Sequence, residues 1–166
     1  MRTEFITEKF EETRKMGKIL AKELRGGEVI CLSGELGAGK TSFAQGLLEG
    51  LGAEKPYTSP SFVVMKEYKI TKSNSPAGEQ NIYHIDAYRI NEKDLLNLGW
   101  EEIISDPKNI AIVEWANRVE KIIPARAVWI KFEWLGENRR RIILGKAKKP
   151  QDLPKIRNRA KNIKWC

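Results

Sequence analysis

Residues 34 to 42 read GELGAGKTS: three glycines, a lysine and two hydroxyls in nine positions. Gly34, Gly39, Lys40 and Thr41 satisfy the pattern G-x-x-x-x-G-K-[ST]. Glycine lets the backbone take positive φ and approach a ligand closely. Successive N–H groups of Glu35, Leu36, Gly37, Ala38 and Gly39 can then converge on one anion, and a following helix adds its positive N-terminal end. Lys40 supplies a point charge for β and γ phosphates, Thr41 a hydroxyl for Mg²⁺, and Ser42 a further polar group. The chemistry implied is triphosphate binding.

A phosphate cradle alone only binds. Hydrolysis or transfer also needs a carboxylate that organises a metal and places a nucleophile. Two acids close apolar runs, Asp86 in NIYHID and Glu114 in IAIVE. An acid just past a buried strand leaves the sheet at its carboxyl end, where phosphate ligands sit in parallel α/β folds. Asp86, Glu114 and Lys40 are therefore the candidate catalytic set, and Thr41 with Glu114 the candidate Mg²⁺ ligands. Thr58, Ser59 and Ser61 offer hydroxyls on a turn after the loop's helix; in GTPases a threonine in that place senses the γ-phosphate. His84, the single histidine, lies inside a predicted strand and reads as a packed or hydrogen-bonded structural residue. Trp115 stacks on a base or fills space.

The elements that must hold these residues are legible in outline. EETRKMGKILAKELR, residues 11 to 25, places Met16, Ile19, Leu20 and Leu24 on one helical face, stopped by Gly26 and Gly27. EVICLS at 28–33 is a buried strand, and TSFAQGLLEGL a helix with Phe43, Ala44, Leu47, Leu48 and Leu51 on one face. The glycine stretch thus joins a strand to a helix. Strands are expected at 62–70 and 81–86, linked by an exposed loop TKSNSPAGEQ. A helix capped by Asn91 follows, broken at Gly99, with WEEII adding a turn. IAIVEW at 110–115 is a further buried strand and 117–123 a short helix. AVWIKFEW and RRRIIL form a hairpin across LGEN. The fold class is α/β: a P-loop NTPase fold, mostly parallel at its centre, with flanking antiparallel strands and helices on both faces.

The 166 residues, 41% hydrophobic, suit one domain, taken as residues 1–145 with a basic tail at 146–166. From Glu137 onward eleven Lys and Arg stand against two Asp and Glu, so the net charge of +8 belongs to the C-terminal end. Such an end suits a polyanion such as RNA, or serves solubility alone. Cys31 and Cys166 read as free thiols in a reduced protein. MRTEFITEKFEE lacks the apolar stretch of a signal peptide and no run approaches a membrane span, so a soluble cytoplasmic protein is expected.

GELGAGKT, TSPSFVVMKEY, YHIDAYR and VEWANRV, in that order and spacing, resemble the bacterial TsaE (YjeE) family from about Thr7 to Leu144. That family is the ATPase component of the machinery that makes threonylcarbamoyladenosine beside the tRNA anticodon. The resemblance implies ATP with Mg²⁺, weak intrinsic hydrolysis, and the partners TsaD and TsaB, with tRNA met indirectly, or directly through the tail. By position it implies phosphate contact for Lys40, Mg²⁺ organisation for Thr41 and Glu114, a catalytic place for Asp86, a switch-like segment from Thr58 to Ser61, and Trp115 beside Glu114. It sets the turn near Thr7 to Thr13 close to the adenine. Family members commonly have threonine where Ser61 stands; serine keeps the hydroxyl. Three rival readings share the phosphate loop: a small-molecule kinase, a GTPase and a non-hydrolysing adaptor. No N-K-x-D stretch is present to read guanine, and Arg139, Arg140 and Arg141 are consecutive on a predicted strand, so they cannot all face one site.

Overall fold

The computed structural model describes residues 3–71 and 79–145. Seven strands among these residues form one sheet: β1 (Thr3–Thr7), β2 (Val29–Gly34), β3 (Met65–Thr71), β4 (Glu79–Asp86), β5 (Ile110–Glu114), β6 (Val128–Trp134) and β7 (Arg140–Leu144). Their order is β1-β7-β6-β2-β5-β4-β3. The central four, β6, β2, β5 and β4, are mutually parallel, while β1, β7 and β3 pair antiparallel at the flanks. This is the mixed α/β P-loop architecture expected from the sequence.

Alternation along β2 sorts the core into two layers. Ile30 and Leu32 face one side, where α1 (Phe10–Ala21) and α2 (Lys40–Leu51) pack. Val29 and Cys31 face the other, with α3 (Glu92–Asn97), α4 (Trp100–Ser105) and the 3₁₀ helix Ala116–Ile122. Being inaccessible on both faces, β2 and β5 read as continuous apolar runs. Phe43, Ala44, Leu47, Leu48 and Leu51 of α2 are all buried, as their spacing requires.

Several boundaries differ from the sequence-based expectation. The N-terminal strand β1 was not foreseen; it pairs with β7 from Thr3–Leu144 to Thr7–Arg140. The first helix ends at Ala21 rather than near 25. Glu23 and Leu24 N–H groups bond Leu20 and Ala21 carbonyls in tight turns, and Glu28 takes the N–H groups of Arg25 and Gly26. The strand expected from Phe62 starts at Met65, because the N–H groups of Val63 and Val64 both return to the Pro60 carbonyl and Val64 has φ 65°. Trp115 leaves the strand with φ 57°. Asn91 caps α3 as expected, in a reciprocal box with Asp94. In the 71–80 link Thr71, Glu79 and Gln80 extend the two strands; residues 72–78 and the tail at 146–166 lie outside the described residues.

Candidate nucleotide-binding site

The loop from Gly34 to Thr41 leaves the carboxyl end of β2 and opens α2. Its glycines carry the curvature. Gly39, at the helix N-cap, has φ 102°, a left-handed value that strains any side chain. Gly34 lies so close to β6 that a Cβ would sit 2.3 Å from the Phe132 carbonyl oxygen. Gly37 faces open space. Ala38 is fully buried, its N–H bonded to the Glu35 carbonyl at 3.2 Å, and Glu35 is exposed.

Lys40 is buried, 4% exposed. Its ammonium donates to the carbonyls of Gly34 (2.8 Å) and Glu35 (2.6 Å) and lies 3.9 Å from the centroid of the Trp115 ring. Desolvation holds its pKa below the ordinary lysine value, against the opposing pull of Glu114, Asp86 and Glu35. Two of its donors bond the loop's own carbonyls, a placement from which the same charge can turn to a phosphate.

Strand register brings the acids to the loop. Asp86 pairs across from Glu114, and Glu114 from Leu32, at the ends of three parallel strands. Both carboxylates are buried. Thr41 Oγ1 donates to Glu114 Oε2 at 2.7 Å, and His84 Nε2 lies 2.7 Å from Glu114 Oε1. Asp86 accepts from Ser61 Oγ at 2.7 Å and from the Tyr88 N–H at 2.9 Å. The hydroxyls of Ser59 and Ser61 are 2.7 Å apart. Tyr88 stacks obliquely on Trp115, ring centroids 4.9 Å apart.

Of these, Lys40, Thr41, Ser61, Asp86, Glu114 and Trp115 line one cleft of about 230 Å³, together with Leu36, Gly37, Gly39 and Ser42, while His84, Ser59 and Tyr88 do not line it. Of the expected contacts, Glu35, Ala38 and Thr58 do not line it; Thr58 is exposed and its hydroxyl takes the Lys66 ammonium. Phe10 and Thr13 do line it, consistent with the N-terminal turn expected there. The Thr13 hydroxyl is 2.8 Å from that of Thr7. Glu137, Asn138 and Arg140 also line it and were not singled out. Arg140 Nε donates to the Gly37 carbonyl (3.0 Å) and its terminal nitrogen to that of Gly136 (2.7 Å). The three arginines diverge, since Arg139 bonds Glu8 and Arg141 bonds Glu133. Strand alternation was the signal for one arginine on the cleft, but not for which.

The donor set suits a hard cation carried with phosphate. Among the described residues no group of three or more His, Cys, Asp or Glu forms a closed metal cage. A hydroxyl and a carboxylate on one side, with phosphate oxygens and waters completing the shell, is how Mg²⁺ is commonly held.

Phosphate loop, parallel strand ends and paired acids define a P-loop nucleotide-binding protein. A model of the family described as Threonylcarbamoyl adenosine biosynthesis protein TsaE matches residues 7–142, and the chain belongs to that family. The Bacillus subtilis protein named tRNA threonylcarbamoyladenosine biosynthesis protein TsaE is 36% identical over 132 residues, 80% of this chain and 78% of its own. The Treponema pallidum protein of the same name is 30% identical, over 82% and 96%. The crystal structure of Bacillus subtilis YdiB superposes with a TM-score of 0.73 at 26% identity, covering 96% of this chain and 97% of that one.

Proposed function

We propose that this chain is a Mg²⁺-dependent ATPase of weak intrinsic activity that supports TsaD and TsaB homologues in forming threonylcarbamoyladenosine in tRNA. The observation that carries the reading is the 2.7 Å bond from Thr41 to Glu114. It joins the last residue of the phosphate loop to an acid at the end of the neighbouring parallel strand, the pairing that Mg²⁺–nucleotide sites of this class use. The names of the relatives supply the pathway.

The residues divide the work by chemistry. Main-chain N–H groups from Glu35 to Lys40 cradle the phosphates. The Lys40 ammonium leaves the Gly34 and Glu35 carbonyls to meet the β and γ oxygens. The Thr41 hydroxyl and Glu114 carboxylate hold Mg²⁺, which when bound neutralises charge developing on the γ-phosphoryl. Asp86, beside Glu114 and Ser61, accepts hydrogen bonds at the place where an attacking water is oriented. Trp115 walls the cleft over Lys40. Ser61 carries the contact of the switch-like segment, since Thr58 lies off the cleft. A kinase reading wants arginines converging on an acceptor, and of the three consecutive ones Arg140 alone lines the cleft.

The deciding experiment mixes the purified chain with TsaD, TsaB, tRNA, ATP and an activated threonylcarbamoyl donor. ATP-dependent association and multiple-turnover modification are expected, with Glu114→Gln binding ATP but hydrolysing it at least about 100-fold more slowly, the scale of losing one electrostatic catalytic group. Wild-type rates in that variant, or modification indifferent to this chain, would defeat the proposal.

A further inference from the structure

We propose that His84 is a positioning residue for the metal site: its Nε2–H fixes one oxygen of Glu114 so that the other is presented to Thr41 and Mg²⁺. The inference rests on the Mg²⁺–ATP reading above and extends it to a residue that its own strand position marks only as structural. His84 is fully buried in β4, opposite Lys66 of β3 and Ile112 of β5. Its contact is directional rather than apolar, with Nε2 2.7 Å from Glu114 Oε1. A carboxylate only accepts, so the shared hydrogen sits on Nε2. With Oε1 held there and Oε2 receiving Thr41 Oγ1 at 2.7 Å, rotation about the end of the Glu114 side chain is blocked at both oxygens. Nδ1 is buried without a hydrogen-bond partner among the described residues. That fits a neutral ring whose bare nitrogen is an acceptor, and not a ring with a second N–H in need of a partner. A leucine of similar bulk would leave no orphan nitrogen, yet would strip Oε1 of its donor. The polar ring therefore serves Glu114 and not the packing. Partners that orient a metal's ligands in this way act on metal affinity more than on the ligand count.

The test compares the full-length wild type with His84→Leu, His84→Gln and His84→Asn. Mn²⁺ binding to the ADP complex is read by electron paramagnetic resonance, and hydrolysis is followed across Mg²⁺ concentration. In His84→Leu the Mn²⁺ needed for half-saturation rises about 10- to 100-fold, while metal-free ATP affinity moves less than about twofold. Gln, whose amide nitrogen reaches the place of Nε2, stays within about threefold of wild type, and Asn, one bond shorter, does not. Unchanged Mn²⁺ dependence in His84→Leu overturns the assignment, as does equal behaviour of Gln and Asn. The Gln–Asn contrast decides the matter if His84→Leu fails to fold. A wild type whose nucleotide binding ignores metal sinks the Mg²⁺–ATP reading and His84 with it, whereas a metal-dependent wild type beside an indifferent His84→Leu sinks His84 alone.

Discussion

Lys40 is the residue whose surroundings bear most directly on the proposed phosphate contact. Buried ammonium is costly unless its donors are used, and here two of them are satisfied by the carbonyls of the loop itself. Desolvation lowers its pKa more than the nearby acids Glu114, Asp86 and Glu35 raise it. A nucleotide's phosphates would supply the missing negative charge. Lys40→Ala is accordingly expected to weaken ATP binding by about 10- to 100-fold, the scale of losing hydrogen bonds to a charged group. Calorimetry checks this, and unchanged affinity would remove the lysine from the phosphate site. Ser61 is the second residue whose surroundings define an outcome. Its hydroxyl ties the 57–64 segment to Asp86. Ser61→Thr keeps the donor and should retain hydrolysis, while Ser61→Ala frees Asp86 Oδ2 and should lower kcat more than it alters the KM for ATP. A KM effect alone would speak against that role.

The two helices beside the phosphate loop meet through glycine. A Cβ at Gly46 would lie 1.9 Å from the Arg14 carbonyl oxygen, at Gly50 2.6 Å from that of Lys18, and at Gly17 2.2 Å from that of Phe43. Backbone thus packs on backbone along α1 and α2. Alanine normally gains about 1 kcal/mol over glycine inside a helix, but here it must part the helices, so Gly46→Ala is expected to destabilise by about 2 kcal/mol in denaturant unfolding. A stabilised variant would contradict the packing. Glu49 clamps the same pair, bonding Lys18 at 2.9 Å and Arg14 at 3.0 Å. Its carboxyl is held below the usual range, first by the Lys18 hydrogen bond. Because the folded value is depressed, the clamp adds stability above the unfolded value and loses it as pH falls through the folded one. Glu49→Gln should therefore cost less than about 1 kcal/mol at pH 7, and the difference in melting should shrink as pH falls below the ordinary carboxylate value. These features also mark what the sequence could and could not convey. The phosphate loop was readable because its chemistry is contiguous. The apolar faces of α2 and the runs of β2 and β5 were readable because burial imposes a period. The glycines at 17, 46 and 50 carried no such signal, since their meaning depends on the facing helix. Nor did β1, a five-residue strand with two exposed positions whose partner lies at the far end of the described chain. The Glu114–His84 bond depends on the register between β4 and β5, which no local pattern encodes.

At the scale of the molecule, charge and fold part company. The family match ends at residue 142, and residues 1 to 136 are nearly neutral, with nineteen Lys and Arg against twenty Asp and Glu. Eight Lys and Arg against one Asp stand from 146 to 166, outside the described residues and beyond the sheet that builds the cleft. One cut after Gly145 therefore removes the basic end and keeps every described residue of the cleft. Truncation after Gly145 should leave ATP affinity and basal hydrolysis at wild-type values, because among the described residues none that lines the cleft lies past Arg140. If the basic end binds tRNA, the same truncation lowers tRNA affinity and flattens its salt dependence, by about 0.7 to 0.9 in log–log slope for each phosphate that is no longer neutralised. Fluorescence titration of tRNA at several salt concentrations measures both quantities at once. Weaker affinity with an unaltered slope would indicate damage to the body of the protein, and an unaltered slope with unaltered affinity would leave the end to solubility alone.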